Sequence, residues 1–139
     1  MHERARQGPA TAAPVSLLAF DFGTQRVGVA TGSTLLGLGQ GLPTIAAQGE
    51  ARFSAISALI KEWQPAGLVV GVPFHPDGAA HDNTVRARRF GRQLHGRFGL
   101  PVHEVDERYT TVDVEAGGAR DADAAAAALI LEQFFREHE

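Results

Sequence analysis

At 139 residues the chain has the length of one domain, and its 44% apolar content is enough for a hydrophobic core without covalent staples. Cysteine is absent, which excludes a disulfide framework and a thiolate metal site, and no apolar run approaches the length that crosses a bilayer. A net charge of −3 argues against a general nucleic-acid coat and still allows a local basic face on an acidic molecule.

Residues 1–14, MHERARQGPATAAP, are polar and rich in Ala and Pro, without the continuous apolar stretch of a signal peptide. They read as a flexible extension, with one domain over 15–139 and a cytoplasmic protein that does not engage membranes. Val15–Phe20 is a nearly continuous apolar run, as in a strand buried on both faces. Asp21-Phe22-Gly23-Thr24 breaks it with turn chemistry, and Arg26–Thr31 follows as its hairpin partner. Leu42-Pro43-Thr44-Ile45 reads as a third strand near an edge, since proline cannot sit centrally.

Over residues 50–63 the period changes. Phe53, Ile56, Leu59, Ile60 and Trp63 recur at three and four, which predicts an amphipathic helix. Gly67–Pro73 (GLVVGVP) is a second buried strand. Asn83–Phe98 carries Val85, Phe90, Leu94 and Phe98 at helical spacing, and Pro101–Val105 is a brief strand. Thr110–Glu115 suggests a short helix, and Asp121–Arg136 a longer one with Leu129, Ile130, Phe134 and Phe135 inward. Three meandering strands followed by helix–strand alternation predict an α/β mixed sheet with helices on both faces.

Three acidic motifs stand at the edges of apolar runs. Asp21 follows the first strand; alone it reads as a turn aspartate, but the end of a central strand opens into a crevice where Gly23 lets a ligand near the backbone. Asp106 and Glu107 follow Pro101–Val105, with Arg108 and Thr110-Thr111 behind them. One of the pair is a candidate metal ligand while the other caps a helix or pairs with Arg108, and the spacing leaves open which. Asp121 is the expected N-cap of the last helix. Asp123 would then lie in its first turn, and the alanines after it would let the helix lie close to the sheet. Three carboxylates from separate elements are a usual means of holding two Mg²⁺ or Mn²⁺ ions around a phosphodiester. Oxygen donors without cysteine or a paired-histidine helix favour those ions over Zn²⁺.

A second constellation is basic. Arg86, Arg88, Arg89, Arg92 and Arg97 fall on one helix, five of the chain's thirteen Lys and Arg residues. A solvated helix face is the bland reading; so dense a cluster favours contact with phosphates, read by backbone and shape rather than by base edges. His75 and His81, in or beside the loop Gly71–Gly78, receive no catalytic role.

Together DFGTQRVGVATG, GLVVGVPFHPDG, VHEVDERYTT and DADAAAAALILEQF resemble the YqgF or RuvX family, pre-16S rRNA nucleases related to Holliday junction resolvases. The four motifs are collinear over about residues 15–136. The resemblance implies an RNase H-like fold and a metal-dependent endonuclease maturing the 5′ end of 16S rRNA in the cytoplasm. It implies Asp21, Glu107 and Asp123 as catalytic and metal-holding residues, with Asp106 as substitute for Glu107, and Arg26 as a basic residue of the first motif. Arg26, Arg86, Arg89, Arg92 and Arg108 are the candidate contacts to RNA or structured nucleic acid. The segment between Thr111 and Asp123 departs from the family pattern: it is shorter, and in VDVEAGGAR only Arg120 is basic.

A branched-DNA resolvase is the nearest rival, because the same chemistry cuts either polymer, but it requires a symmetric dimer. Nothing in the sequence marks a self-complementary surface, so a monomer or weak homodimer is expected. An actin-like ATPase, suggested by DFGT, would need a second such domain to clamp its nucleotide. A catalytically idle RNA- or protein-binding module is the third class.

Overall fold

The computed structural model describes residues 13–109 and 119–138. The expected short helix at Thr110–Glu115 and residues 1–12 of the expected extension lie outside them. β1 (Ser16–Phe22) is the central strand, antiparallel to β2 (Val27–Ser33) and parallel to β4 (Gly67–Val72). β3 (Gly39–Ile45) lies outside β2, and β5 (Val102–Asp106) lies outside and parallel to β4, giving the order β3-β2-β1-β4-β5. Pro43 therefore sits on an edge strand, in the stretch between Leu42 and Ile45 where the register to β2 shifts.

α1 (Gly49–Trp63) and α2 (Asp82–Phe98) cover one face of the sheet and α3 (Ala119–Glu137) the other. Alternation along β1 shows why its sequence is apolar at consecutive positions. Leu18 and Phe20 join the cluster beneath α1 and α2, while Leu17 and Ala19 meet Ile130, Leu131, Phe134 and Phe135 of α3. On the first face Phe90 takes Phe20 edge-on, with ring centroids 6.0 Å apart.

Three expectations are corrected. Val85 is 61% exposed, because the buried stripe of α2 runs through Thr84, Ala87, Phe90, Gly91 and Leu94, one position out of phase with it. Leu131 is fully buried in α3 and Leu129 only partly, which keeps the stripe on helical spacing with Ala127, Phe134 and Phe135. α3 also begins at Ala119, since Ala and Arg are good helix formers; Asp121 is thus inside the helix rather than its N-cap, and Asp123 stands in the second turn.

Sequence reasoning missed the start of α2. The His81 side chain accepts the Asn83 N–H at Nδ1 (3.1 Å), and the His81 N–H donates to Thr84 Oγ1 (3.0 Å). Histidine here replaces the usual Ser or Asp of a reciprocal cap. Its spacing to Thr84 was the available signal.

Candidate active site

Parallel pairing of β1 with β4, and of β4 with β5, opens the C-terminal ends of all three strands at one edge of the sheet. Asp21 is the penultimate residue of β1 there. Glu107 follows β5 directly, at the head of a single 3-10 turn, Glu107–Tyr109. Asp123 arrives from the opposite layer on α3 and, with Asp21, Phe22, Gly23, Thr24, Gln25 and Arg26, lines an open depression of about 280 Å³.

Asp21 feels both of the other carboxyl groups. Burial raises the Asp21 pKa; a hydrogen bond from Glu107 opposes this and the charge of Asp123 adds to it. Glu107 is pushed up to about 8, first by burial and then by the charge of Asp21, its hydrogen bond to Asp21 and the charge of Asp106. Glu107 thus holds a proton at neutral pH and donates it toward the Asp21 carboxylate. The pair titrates as a unit.

Asp106 and Glu107 have different partners. Arg108 takes up the Asp106 carboxylate, with Nη2 to Oδ2 at 2.7 Å, Nε to both oxygens at 3.1 Å, and the Arg108 N–H to Oδ1 at 2.9 Å. These bonds hold the Asp106 pKa below the ordinary carboxylate value, the arginine side chain contributing most. Arg108 also reaches the Pro76 carbonyl at 3.4 Å and lies 5.5 Å from the Phe74 ring centre, tying the loop after β4 to the end of β5. Glu107, not Asp106, shares the hydrogen bond with Asp21.

Asp123 is engaged differently. Arg26 Nε donates to its Oδ2 at 2.6 Å, with Arg26 43% and Asp123 22% exposed. Among the described residues no three His, Cys, Asp or Glu side chains are grouped closely enough to form a ready-made cation site. The chemistry of the donor set nevertheless suits a hard divalent cation. Asp21 and Asp123 bring carboxylate oxygens to the depression, and Asp21 shares a proton with Glu107 beside it.

The basic helix divides in two. Arg88 pairs with Glu104 (3.2 Å), and Arg97 grips Glu50 through both terminal nitrogens (2.6 and 3.0 Å) while stacking on Phe53. Arg86, Arg89 and Arg92 are exposed, with Arg86 near the N-terminus of α2 beside His75 and His81.

Arg52 is a residue the sequence did not single out. It is 6% exposed, donates to the Ala47 carbonyl at 2.8 Å and the Thr24 carbonyl at 3.2 Å, and lies over the Phe22 ring. It thereby pins the Gly23–Arg26 loop to α1, and burial lowers its pKa. One arginine on an amphipathic helix carries no sequence signal of this.

The profile of the RuvX family, described as Holliday junction resolvase, matches residues 15–137. The chain belongs to the RuvX family. A protein of Albidiferax ferrireducens named "Putative pre-16S rRNA nuclease" is 65% identical over 121 residues, 87% of this chain and 78% of that one. One of Polaromonas sp. with the same name is 62% identical over 126 residues, 91% of each chain. Among solved structures, T. thermophilus RuvC in complex with a Holliday junction substrate superposes with a TM-score of 0.56 at 15% identity, over 89% of this chain and 95% of that one. The RuvX chain therefore has an RNase H-like fold, as the resemblance of its motifs implied and in agreement with the order of its strands and helices.

Proposed function

We propose that this RuvX-family protein is a divalent-cation-dependent endonuclease that hydrolyses phosphodiester bonds in RNA, processing the 5′ end of pre-16S rRNA in the cytoplasm, within the domain 15–139. The observation that carries the reading is the meeting of Asp21, on β1, and Glu107, just after β5, beside Asp123 at the C-terminal end of the central strand. The names of the relatives support rRNA as substrate. Among the described residues, no helix is long and apolar enough to cross a membrane.

Asp21, Glu107 and Asp123 are the residues that would hold Mg²⁺ or Mn²⁺, two ions in the full reading. When bound, such ions polarise the scissile phosphate and lower the pKa of a water. The chain's own groups do the rest. For all three carboxylates to hold such ions, the proton that Glu107 shares with Asp21 would pass to solvent. Arg26, exposed beside Asp123, can leave that carboxylate for a phosphate oxygen, an exchange of one charge-assisted hydrogen bond for another. Arg86, Arg89 and Arg92 present a row of cations to the polymer backbone, and Arg108 braces the loop after β4 while keeping Asp106 occupied.

The deciding experiment is cleavage of a pre-16S fragment with and without Mg²⁺, by the wild-type protein and Asp21→Asn. Loss of cleavage in the variant, with folding and RNA binding retained, is the expected result. Equal rates would end the mechanism. The second reading is a resolvase, favoured by the family description and the likeness of fold to RuvC. Preferential, symmetric cutting of a four-way junction by a dimeric protein would establish it in place of the first.

A further inference from the structure

We propose that Gly28 and Gly71, on the two strands that flank β1, are positioning residues: their bare Cα atoms are the seats on which Asp123 and Glu107 are laid beside Asp21. The inference deepens the cation-dependent reading above and rests on it for its functional consequence, though not for its geometry.

Register puts both glycines at Asp21. Gly28 is its cross-strand partner on β2. On β4, Val70 partners Phe20, so Gly71 is the next residue along the parallel pair. A Cβ on Gly28 would stand 2.1 Å from the Asp123 carbonyl oxygen, 2.6 Å from its carbon and 3.2 Å from its Cα. α3 thus crosses β2 with its backbone against the strand at the residue whose carboxylate faces the depression. A Cβ on Gly71 would stand 2.5 Å from Glu107 Oε2, 2.9 Å from its Cγ and 2.4 Å from Ile130 Cδ1. The Glu107 carboxyl group therefore lies across the space a side chain would fill.

Space is the reason for glycine at both positions. Positive φ among the described glycines occurs at Gly37, Gly49, Gly78 and Gly99, and neither seat is among these. Alanine could adopt either backbone and would have nowhere to put its methyl group. The consequences differ. At Gly28 the obstacle is backbone, so α3 must retreat by about 1 Å before the contact becomes tolerable. At Gly71 the obstacles are side chains, the Cδ1 of the buried Ile130 nearest and the Glu107 carboxyl next, so Glu107 must turn aside and Ile130 must repack with it. Asp123 would be displaced with its helix in one case, and Glu107 swung aside with a local shift of Ile130 in the other. A misplacement of about 1 Å in such a centre costs on the order of 100-fold in rate.

The test uses the full chain and the variants Gly71→Ala, Gly28→Ala, Gly28→Ala with Asp123→Glu, and Gly96→Ala as control, since nothing lies within 4 Å of a Cβ there. Mn²⁺ affinity is read from the free-ion paramagnetic resonance signal, RNA affinity without divalent cation, and cleavage against Mg²⁺. For Gly71→Ala we expect melting lowered less than in Gly28→Ala, Mn²⁺ affinity and half-saturating Mg²⁺ each worse by about tenfold or more, and unchanged cation-free RNA binding. For Gly28→Ala we expect the same pattern with lower melting, partly restored by the longer side chain of Asp123→Glu. Wild-type Mn²⁺ affinity in both alanine variants would overturn the proposal. The seating has its own readout: in a cation-free crystal structure of Gly71→Ala, the hydrogen bond between Glu107 and Asp21 should be lost. Its survival there overturns the seating even if the protein is a nuclease. Wild-type protein that neither binds Mn²⁺ nor cuts RNA overturns the nuclease reading, with the seating still decided by that structure.

Discussion

Replacing Glu107 by glutamine should stabilise the protein, increasingly so as the solution becomes alkaline. The folded chain holds the Glu107 pKa at about 8 against an ordinary 4.5, because burial and the Asp21 charge disfavour its ionised form. A carboxyl group raised in this way contributes fully below about pH 4.5, where it is protonated in both folded and unfolded chains. Its contribution is then lost progressively as pH climbs through 8, because the unfolded chain ionises freely and the folded one cannot. At 1.36 kcal/mol per pH unit the loss reaches a ceiling of about 5 kcal/mol above pH 8. Movement of the charged side chain toward water lowers that figure, and about 2–3 kcal/mol is expected. Glutamine keeps a hydrogen-bond donor for Asp21 and never ionises. At about 3 °C per kcal/mol for a chain of this size, Glu107→Gln should melt about 6–9 °C higher than wild type at pH 9 and almost equally at pH 5. The assay is thermal melting in chelator across that range. Adding Mg²⁺ should narrow the gap at pH 9 by stabilising the wild type. A difference that stays flat from pH 5 to 9 would refute the picture of two carboxyl groups held together at a cost.

Arg26→Gln releases Asp123 from its 2.6 Å partner, so Mn²⁺ affinity should rise or hold while the KM for RNA increases; weakened cation binding with unchanged KM would show that Arg26 serves the fold instead. Arg89→Ala and Arg92→Ala should each weaken RNA binding and lower the slope of log affinity against log salt by about 1, whereas Arg97→Ala, whose charge is spent on Glu50, should not. Arg52→Met leaves the Thr24 and Ala47 carbonyls without their donor and should cost about 2–3 kcal/mol in denaturant melts, with a further loss of activity because the Gly23–Arg26 loop is freed; a variant as stable as wild type would remove Arg52 from the account.

The layout of the sheet was legible because each strand wrote its surroundings into its composition. β1 and β4 are apolar at successive positions since helices cover both their faces, and Pro43 marked β3 as an edge. The acidic centre was legible as three places along the chain but not as one arrangement. Whether Asp106 or Glu107 turns toward Asp21 depends on Arg108, two residues beyond Asp106, closing back on it, a choice of rotamer that no spacing records. The start of α3 was misjudged because Asp121 looks like a cap, while Ala119 and Arg120 extend the helix before it. Val85 was misjudged because hydrophobic identity was weighed above phase, and Thr84 and Ala87 occupy the buried face instead.

The make-up of α3 ties this centre to the stability of the fold. Its N-terminal half must approach β2 and β3 closely, and both surfaces are stripped of bulk to allow it: Ala124 lies over Gly41 and Ala128 over Gly39, as Asp123 lies over Gly28. Alanine buries little apolar surface, so this half gains little from the contact that function requires of it. The compensating contacts lie at the other end of the helix, where Ile130, Leu131, Phe134 and Phe135 pack against Leu17, Ala19, Val69 and Val105. Asp123 is thus held beside Asp21 by side chains two to three turns away, through the stiffness of the helix between them. Cavities made by truncating Leu131 or Phe135 would therefore loosen the approach of Asp123 as well as the core, and activity would fall before the fold is lost.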